Sequence, residues 1–600
     1  MKYKFVLLIF MTIWGIMIAR LYHLSIKSNY YYEELAQENI ERKQFIKPVR
    51  GEITDRHGNL LAMNQMGFSV SILPHLKRKP EKLENIVDKI VDTFPDLNKT
   101  VMMKVYNKYD SPYNHEYIKV VDFIHYADMM GAYPSLSLHP EIKIEAETKR
   151  YYPYGQYSAH IVGYTGKSNK KENDRDAVVK EIGKIGKSGL ESQYNSVLQG
   201  ELGYLVSKVT ATNKAIEELE KVPPKDNKNI KLNIDINLQK MIHDRFGDDA
   251  GVAIVMRTNG DILAAVSYPS YDPNLFVGGI SHKDWQALQE NVDKPFTNKI
   301  IHGAYPPGST IKMGMALAFG QSKEGILESD EYCSGYITLG KSNHKFRCWS
   351  HWGHGKVDLK KAIRESCDVY FYNKSLKVGI NAIANNLREF GLGVKTGIDL
   401  PQEYAGVIPD KDWKQKRYKQ PWYMGETVIA SIGQGYDLVT PLQVARYTAL
   451  LATGNLVTPK LAQVIDGNAV EKESKPITVQ NRYLQTIREG MYEVCNTRKG
   501  TAYSTLSNLP IVVAGKTGTS QVTSIPQSTV KRLKEEELEY YHRSHAWITT
   551  YAPYKDPQYV VIVLVEHGGH GGSSAGPIAA DIYKWLYNKG YFNKSMMDEF

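Results

Sequence analysis

The sequence predicts a multidomain α/β protein anchored by one N-terminal helix, in which a sheet opened by a hairpin is closed by C-terminal strands. Three observations predict it: an apolar run at the start, a proline-rich charged break at "KVPPKDNKNIKL" (Lys221–Leu232), and strand patterns that open and close the region beyond. Six hundred residues exceed one ordinary hydrophobic core, so two or more domains are expected. We divide the chain at residues 1–28, 29–230 and 231–600.

The elements follow in order. Lys2 and Lys4 precede an apolar run from Phe5 to Ala19, which Arg20 interrupts before it continues to Ile26. That is about the ~20 residues a helix needs to cross a bilayer. A cleaved signal peptide has a shorter apolar core and a small-x-small site after it, whereas Arg, Leu, Tyr and His follow here. An uncleaved single-pass anchor is therefore expected, with Arg20 snorkelling to an interface. Its orientation is not fixed by charge, because Arg20 and Lys27 oppose Lys2 and Lys4. "NYYYEELAQENIERKQ" (29–44) carries a helical pattern suited to a stalk. "VRGEITDRHGNLLAMN" reads as two short extended segments joined by an Arg-His-Gly-Asn turn. Residues 75–185 mix amphipathic helices with polar linkers. Beyond the break, "GVAIVMRTNGDILAAVSYP" is a hairpin around Thr258–Asp261. Helical patterns fill the middle, and "PIVVAGKTGTS", "HAWITTYAP" and "YVVIVLVEHGG" return as strands. No repeat of fixed period is present.

Composition narrows the function. A net charge of +10 is modest for this length, and the 41 tyrosines lack an interleaved basic stripe, so nucleic-acid binding is not indicated. Chemistry points instead to "YPPGSTIKMGMA" (Tyr305–Ala316). Four Ser-x-x-Lys pairs occur: Ser168/Lys171, Ser309/Lys312, Ser342/Lys345 and Ser528/Lys531. Only Ser309/Lys312 stands between a turn signal and an apolar helix. At that helix start, free N–H groups favour negative charge near Ser309. The same field, with burial, is expected to leave Lys312 uncharged, able to take the serine proton. The bland alternative is an N-cap serine with a solvated lysine.

Two further motifs weigh against that alternative. "ESCDVYFY" places Ser366 and Asp368 two apart, so both face one cleft from a turn while Cys367 points away. "VVAGKTGTS" ends a β-rich run with Lys516-Thr517-Gly518-Thr519. A strand there offers an edge for substrate pairing, Gly518 permits close approach, and Lys516 adds a second positive charge. Ser-x-x-Lys, then Ser-x-Asp 57 residues on, then Lys-Thr-Gly 150 beyond is hard to obtain by accident.

The order is that of penicillin-recognising serine acyltransferases, and the whole chain resembles a class B penicillin-binding protein. "RGEITDRHGNLLA", "RYYPYGQYSAHIVGYTG" and "GKSGLESQYNSVLQGELG" look like the family's N-terminal module; "NKIIHGAYPPGSTIK" and "VEHGGHGGSSAGPIAADI" look like its transpeptidase domain. The last stretch and the Ser-x-Asp form are most similar to the cell-elongation branch. Many relatives carry Asn where this chain has Asp368. The resemblance implies a pedestal or dimerisation-type module over 29–230 and, over 231–600, a serine β-lactamase-like domain with an antiparallel sheet flanked by helices. It implies that Ser309 attacks the D-Ala-D-Ala bond of a peptidoglycan stem peptide, with Lys312 as base. Ser366 and Lys516 would relay the proton, Thr517 or Thr519 would hold the substrate carboxylate, and backbone N–H groups of Ser309 and Thr519 would form the oxyanion hole. Asp368 is assigned to the catalytic set without a defined role. No cofactor is required. β-Lactams, a lipid-linked precursor polymer and a SEDS-type membrane glycosyltransferase of the elongation machinery are the implied partners. The extracytoplasmic substrate would place the catalytic domain in the periplasm, outside the inner membrane.

All four cysteines, Cys333, Cys348, Cys367 and Cys495, lie in the catalytic half. Cys333, Cys348, His354 and Cys367 are candidates for a closed structural Cys3His zinc site behind the Ser-x-Asp turn. A Cys333–Cys348 disulfide and buried free thiols are the alternatives. Rival functions are a D,D-carboxypeptidase or β-lactamase sharing the three motifs, and a non-catalytic cell-wall-binding scaffold.

Overall fold

A computed structural model describes residues 2–27, 41–114, 116–209, 215–225, 227–340, 344–522 and 534–592. The chain forms two compact units that interleave along the sequence: residues 1–51, 168–184 and 196–228, and residues 52–167, 185–195 and 229–600. The break anticipated at Lys221–Leu232 contains one crossing, between 228 and 229.

In the first unit, a helix spans Lys2–Tyr22 and continues in a wider turn over His23–Lys27. Tyr3–Ile26 is long and apolar enough to cross a membrane. Twenty-one helical residues rise about 31 Å, matching a hydrocarbon core of about 30 Å. The stalk helix expected over 29–44 lies largely outside the described residues. Its last part is not helical: Glu41–Ile46 is a strand paired antiparallel with Gly203–Val209, which pairs in turn with Ala215–Val222. Pairing with distant partners overrides the local helical pattern.

In the second unit, the two extended segments around the Arg-His-Gly-Asn turn are Ile53–Thr54 and Leu60–Ile72, paired antiparallel. Asp55 holds the turn by accepting from the backbone N–H groups of His57 and Asn59, each at 2.8 Å. Leu60–Ile72 also pairs with Ile118–His125 and Ile142–Tyr151. Helices Pro80–Thr93 and Lys99–Tyr109 cover that sheet through Leu83, Ile86, Val87, Ile90, Met102 and Tyr106.

The second unit also holds a five-stranded sheet: β1 (Gly251–Arg257), β2 (Ile262–Tyr268), β3 (Ala514–Ser520), β4 (His545–Ala552) and β5 (Tyr559–Val565). Their order is β2-β1-β5-β4-β3, and every pairing is antiparallel. The expected hairpin is β1–β2, and its turn uses Gly260 at φ 99°. Strands β1 and β5 are almost wholly buried, which is why they read as continuous apolar runs rather than alternations. Two helix pairs flank the sheet, Ile236–Phe246 with Gly576–Asn588 and Pro441–Thr453 with Asn481–Asn496. Strand β3 is left at the edge, with one side unpaired within the sheet.

Candidate active site and cysteine cluster

The prolines of "YPPGST" end the preceding chain, and Gly308–Ile311 forms a single 3-10 turn before the helix Lys312–Ser322. In a 3-10 turn, residues i and i+3 eclipse one another, so Ser309 and Lys312 share one edge. Gly308 has φ 53°, and a Cβ there would stand 2.8 Å from the Thr519 carbonyl oxygen. That close approach seats the turn against β3. The seat is pinned by two hydrogen bonds, Ser520 Oγ to the Pro306 carbonyl at 2.6 Å and Gly308 N–H to the Gly433 carbonyl at 2.9 Å. Gln434 Nε2 donates to the Thr519 carbonyl at 3.2 Å.

Around the serine, the structure brings the three motifs together. Lys312, fully buried, donates to the Ser366 carbonyl at 2.9 Å and Ser366 Oγ at 3.2 Å, and it pairs with Asp368 Oδ1 at 2.7 Å. Lys516 Nζ donates to the same Ser366 hydroxyl at 2.9 Å and to the Thr517 carbonyl at 2.9 Å. One hydroxyl therefore stands between two buried amines. Ser366 itself has φ 53°, the left-handed region, a strained choice for serine that turns its side chain into the cleft. The Ser309 hydroxyl is partly exposed and, among the described residues, makes no hydrogen bond. It is open to a substrate.

The electrostatics differ from the expectation at one point. Lys312 is not a lone amine in an apolar setting; Asp368 faces it as counter-charge. Asp368 is itself pushed above the usual carboxylate range by burial, with the Lys312 charge pulling the other way. The amine held well below the ordinary lysine range is Lys516, first by burial and then by the neighbouring Lys312 charge. Burial and the Lys312 charge therefore both weaken Lys516 as the second positive charge that the sequence suggested.

Thr517 Oγ1 lies 2.6 Å from Thr501 Oγ1. At Gly518 an added Cβ would stand 2.9 Å from Thr310 Cγ2 and 3.1 Å from the Pro307 carbonyl oxygen. Gly518 is needed for the turn to sit on β3. Two contacts were not anticipated: the Trp349 N–H, which donates to Asp368 Oδ2 at 2.8 Å, and Gln434. The "GQGY" glycines were the available signal for the second. Of the other Ser-x-x-Lys pairs, Ser168 precedes and Lys171 lies within a short helix, Lys170–Asn173, capped by Asn169. Ser342, Ser528 and Lys531 lie outside the described residues.

Cys367 does point away from the cleft. The ligand atoms of Cys333, Cys348, His354 and Cys367 all lie within 4.8 Å of one another. His354 Nδ1 is 3.6 Å from both Cys333 Sγ and Cys348 Sγ. A tetrahedral zinc with ordinary Zn–S and Zn–N bonds separates S and N ligands by about 3.6 Å. All four cysteines, Cys495 included, are buried and free of disulfides. His344 and His351 belong elsewhere, against Phe346 and Trp352.

An edge strand carrying Lys-Thr-Gly, a serine turn seated on it and a Ser-x-Asp turn opposite define a serine acyltransferase of the penicillin-recognising class. Residues 250–584 match the family described as penicillin binding protein transpeptidase domain, and residues 45–232 the penicillin-binding protein dimerisation domain. The chain is 35% identical over 595 residues to the peptidoglycan D,D-transpeptidase MrdA of Haemophilus influenzae, covering 96% of this chain and 90% of that one. It is similar to the penicillin-binding protein PBP2 of Helicobacter pylori, solved in complex with MreC, with TM-score 0.84, 41% identity, and coverage of 92% and 100%. It is also similar to Pseudomonas aeruginosa PBP2 in complex with WCK 5153, with TM-score 0.71, 31% identity, and coverage of 93% and 100%. The chain belongs to the class B penicillin-binding proteins.

Proposed function

We propose that this chain is a peptidoglycan D,D-transpeptidase of the elongation type, acting through a Ser309 acyl-enzyme and acylated at the same serine by β-lactams. The observation that carries the reading is the single Ser366 hydroxyl shared by Lys312 and Lys516 beside the Ser309 turn.

Ser309 Oγ attacks the carbonyl carbon of the penultimate D-Ala while its proton passes to Lys312. Lys312 can accept it because its own proton moves through Ser366 Oγ to Lys516, the amine that burial holds well below the ordinary lysine range. Asp368 holds the Lys312 ammonium in place through each transfer. Collapse of the tetrahedral adduct breaks the C–N bond, and the relayed proton leaves on the terminal D-Ala amine. An acceptor amine then takes the acyl group, returning the proton to Ser309 by the reverse path. The backbone N–H groups of Ser309 and Thr519 are assigned to the oxyanion, and Thr517 or Thr519 to the substrate carboxylate. The free edge of β3 supports a strand-like pose for the stem peptide.

Cys333, Cys348, His354 and Cys367 would hold a structural zinc, and the tetrahedral S···N spacing supports that ligand set. With four protein ligands the ion would be closed to substrate. Its effect would reach the cleft only by bracing the Ser366–Asp368 turn through Cys367. The apolar helix supports a single-pass anchor, with the catalytic domain on the periplasmic side where the stem peptides are. A SEDS-type glycosyltransferase is the proposed membrane partner that polymerises the glycan.

The test is incubation with uncross-linked glycan strands. New cross-linked muropeptides with release of D-Ala support the reading. D-Ala release alone would make the protein a carboxypeptidase, rapid turnover of penicillin a β-lactamase, and failure to bind penicillin a scaffold.

A further inference from the structure

One sequence feature remains unused by the chemistry: "DKDWKQKRYKQPWYMGE" (Asp410–Glu426), which interleaves cations with aromatics. Its helix, Lys411–Tyr418, is fastened at both ends. Asp410 caps it by accepting from Trp413 N–H at 2.7 Å and is itself held by Arg388 Nη2 at 2.6 Å. Buried Lys414 pairs with Glu426 and lies 4.6 Å from the Tyr423 ring centroid. The segment is thus a rigid ledge.

The ledge is joined to the cleft. Trp413 and Tyr418 both pack on Tyr436 with ring centroids 5.3 Å apart. Tyr436 stands three residues beyond Gly433, which is bonded to the nucleophile turn, and two beyond Gln434, which is bonded to Thr519. The outer face is charged and aromatic. Lys411, Lys416, Arg417 and Lys419 are exposed against one exposed acid, Asp412. Among the described residues none of the four cations forms an ion pair. Tyr418 is 46% and Tyr423 58% exposed. Lys419 takes the left-handed C-cap position, φ 58°, where glycine is the easy choice. The cation sits there at the expense of backbone strain.

We propose that the outer face of Lys411–Tyr423 is a secondary substrate surface that holds an acidic glycan–peptide strand along the rim of the cleft. The proposal rests on the transpeptidase reading for the identity of the strand. Exposed rings pack against the apolar faces of sugars, and free carboxylates of stem peptides complement four unpaired cations. A small β-lactam occupies only the cleft and has no need of the ledge. The surface therefore acts on polymer binding and not on acylation.

The experiment uses the full-length protein in detergent and a Lys416→Gln/Arg417→Gln/Lys419→Gln variant. Three probes are compared: a fluorescent penicillin, isolated uncross-linked glycan strands carrying pentapeptides, and phosphatidylglycerol vesicles. Penicillin acylation should stay within about twofold of wild type, while strand affinity falls about fivefold, the product of three exposed charge contacts. The difference should vanish at about 0.5 M salt. A Lys416→Gln/Lys419→Gln variant, which keeps Arg417, should retain part of the affinity that the triple variant loses. Unchanged strand affinity in the triple variant overturns the proposal. So does a loss confined to phosphatidylglycerol vesicles, which would assign the ledge to lipid. If the triple variant misfolds and loses labelling, Lys416→Glu and Arg417→Glu singly decide by the same affinity criterion. Absence of labelling in the wild-type protein strikes the transpeptidase reading, while the strand comparison still decides the ledge.

Discussion

Replacing Asp368 by Asn tests the electrostatic core of the site. The carboxylate accepts on both sides, from Lys312 at 2.7 Å through Oδ1 and from Trp349 N–H at 2.8 Å through Oδ2. An amide keeps one acceptor and turns a donor toward the other partner, so one contact becomes donor against donor. If the amide oxygen stays with Trp349, Lys312 is left fully buried with only the Ser366 carbonyl and hydroxyl as acceptors. Removing one partner of a buried ion pair costs about 3–5 kcal/mol, because the survivor remains desolvated. Asp368→Asn should lower the unfolding free energy of the catalytic domain by that amount, read by urea denaturation. A Lys312→Met/Asp368→Asn double variant should recover most of the loss, since no buried charge remains unpaired. It should remain unable to form the penicilloyl adduct. An Asp368→Asn cost under about 1 kcal/mol, or a double variant no more stable than the single one, would refute the pairing.

Lys516→Met removes a buried amine that forms no ion pair among the described residues, so stability should hold within about 1 kcal/mol while penicillin acylation falls at least about a hundredfold; stopped-flow labelling with parallel denaturation checks both. Gly518→Ala places a methyl 2.9 Å from Thr310 Cγ2 and 3.1 Å from the Pro307 carbonyl, and should cost about 1–3 kcal/mol of overpacking with slower acylation as the serine turn shifts. Cys348→Ser should abolish a bound zinc of about one per chain and lower the melting temperature, measured by elemental analysis with a thiol count; a metal-free wild-type protein with four free thiols would reject the cluster as a zinc site. Burial holds His160 down to about 3 and His545 down to about 4, the Lys299 charge and His567 adding respectively. Both are neutral when folded and titrate near 6.5 when unfolded, so their contribution is complete above about pH 6.5 and lost as pH falls. At pH 5 each should weaken the fold by about 2 kcal/mol relative to pH 7, and a His160→Gln/His545→Gln variant should flatten that dependence.

The motifs were readable because each pairs a backbone signal with a reactive side chain. Prolines and a glycine before Ser309 announced the turn, and glycine after Lys516 announced close approach on a strand. Cys367 was readable by alternation, since its neighbours on both sides face the cleft. The partners of Lys312 and Lys516 were not readable, because which amine receives the carboxylate depends on how helix Asp368–Val378 packs, 56 residues from Lys312. Trp349 reaches Asp368 through its backbone, which carries no residue-type signal at all. In the N-terminal half, Ile142–Tyr151 alternates only weakly, "IKIEAETKRY", and became a strand through its ten-residue pairing with Leu60–Ile72. Glu41–Ile46 was masked by the same kind of distant partner.

The decisive measurement is intact-mass analysis of the full-length protein after exposure to a β-lactam, with peptide mapping of the adduct. One stable adduct on the Tyr305–Ala316 segment at Ser309, absent from a Ser309→Ala protein of unchanged melting temperature, is the predicted result. An adduct that maps to another residue, or that persists in Ser309→Ala, would contradict the assignment of Ser309 as the nucleophile.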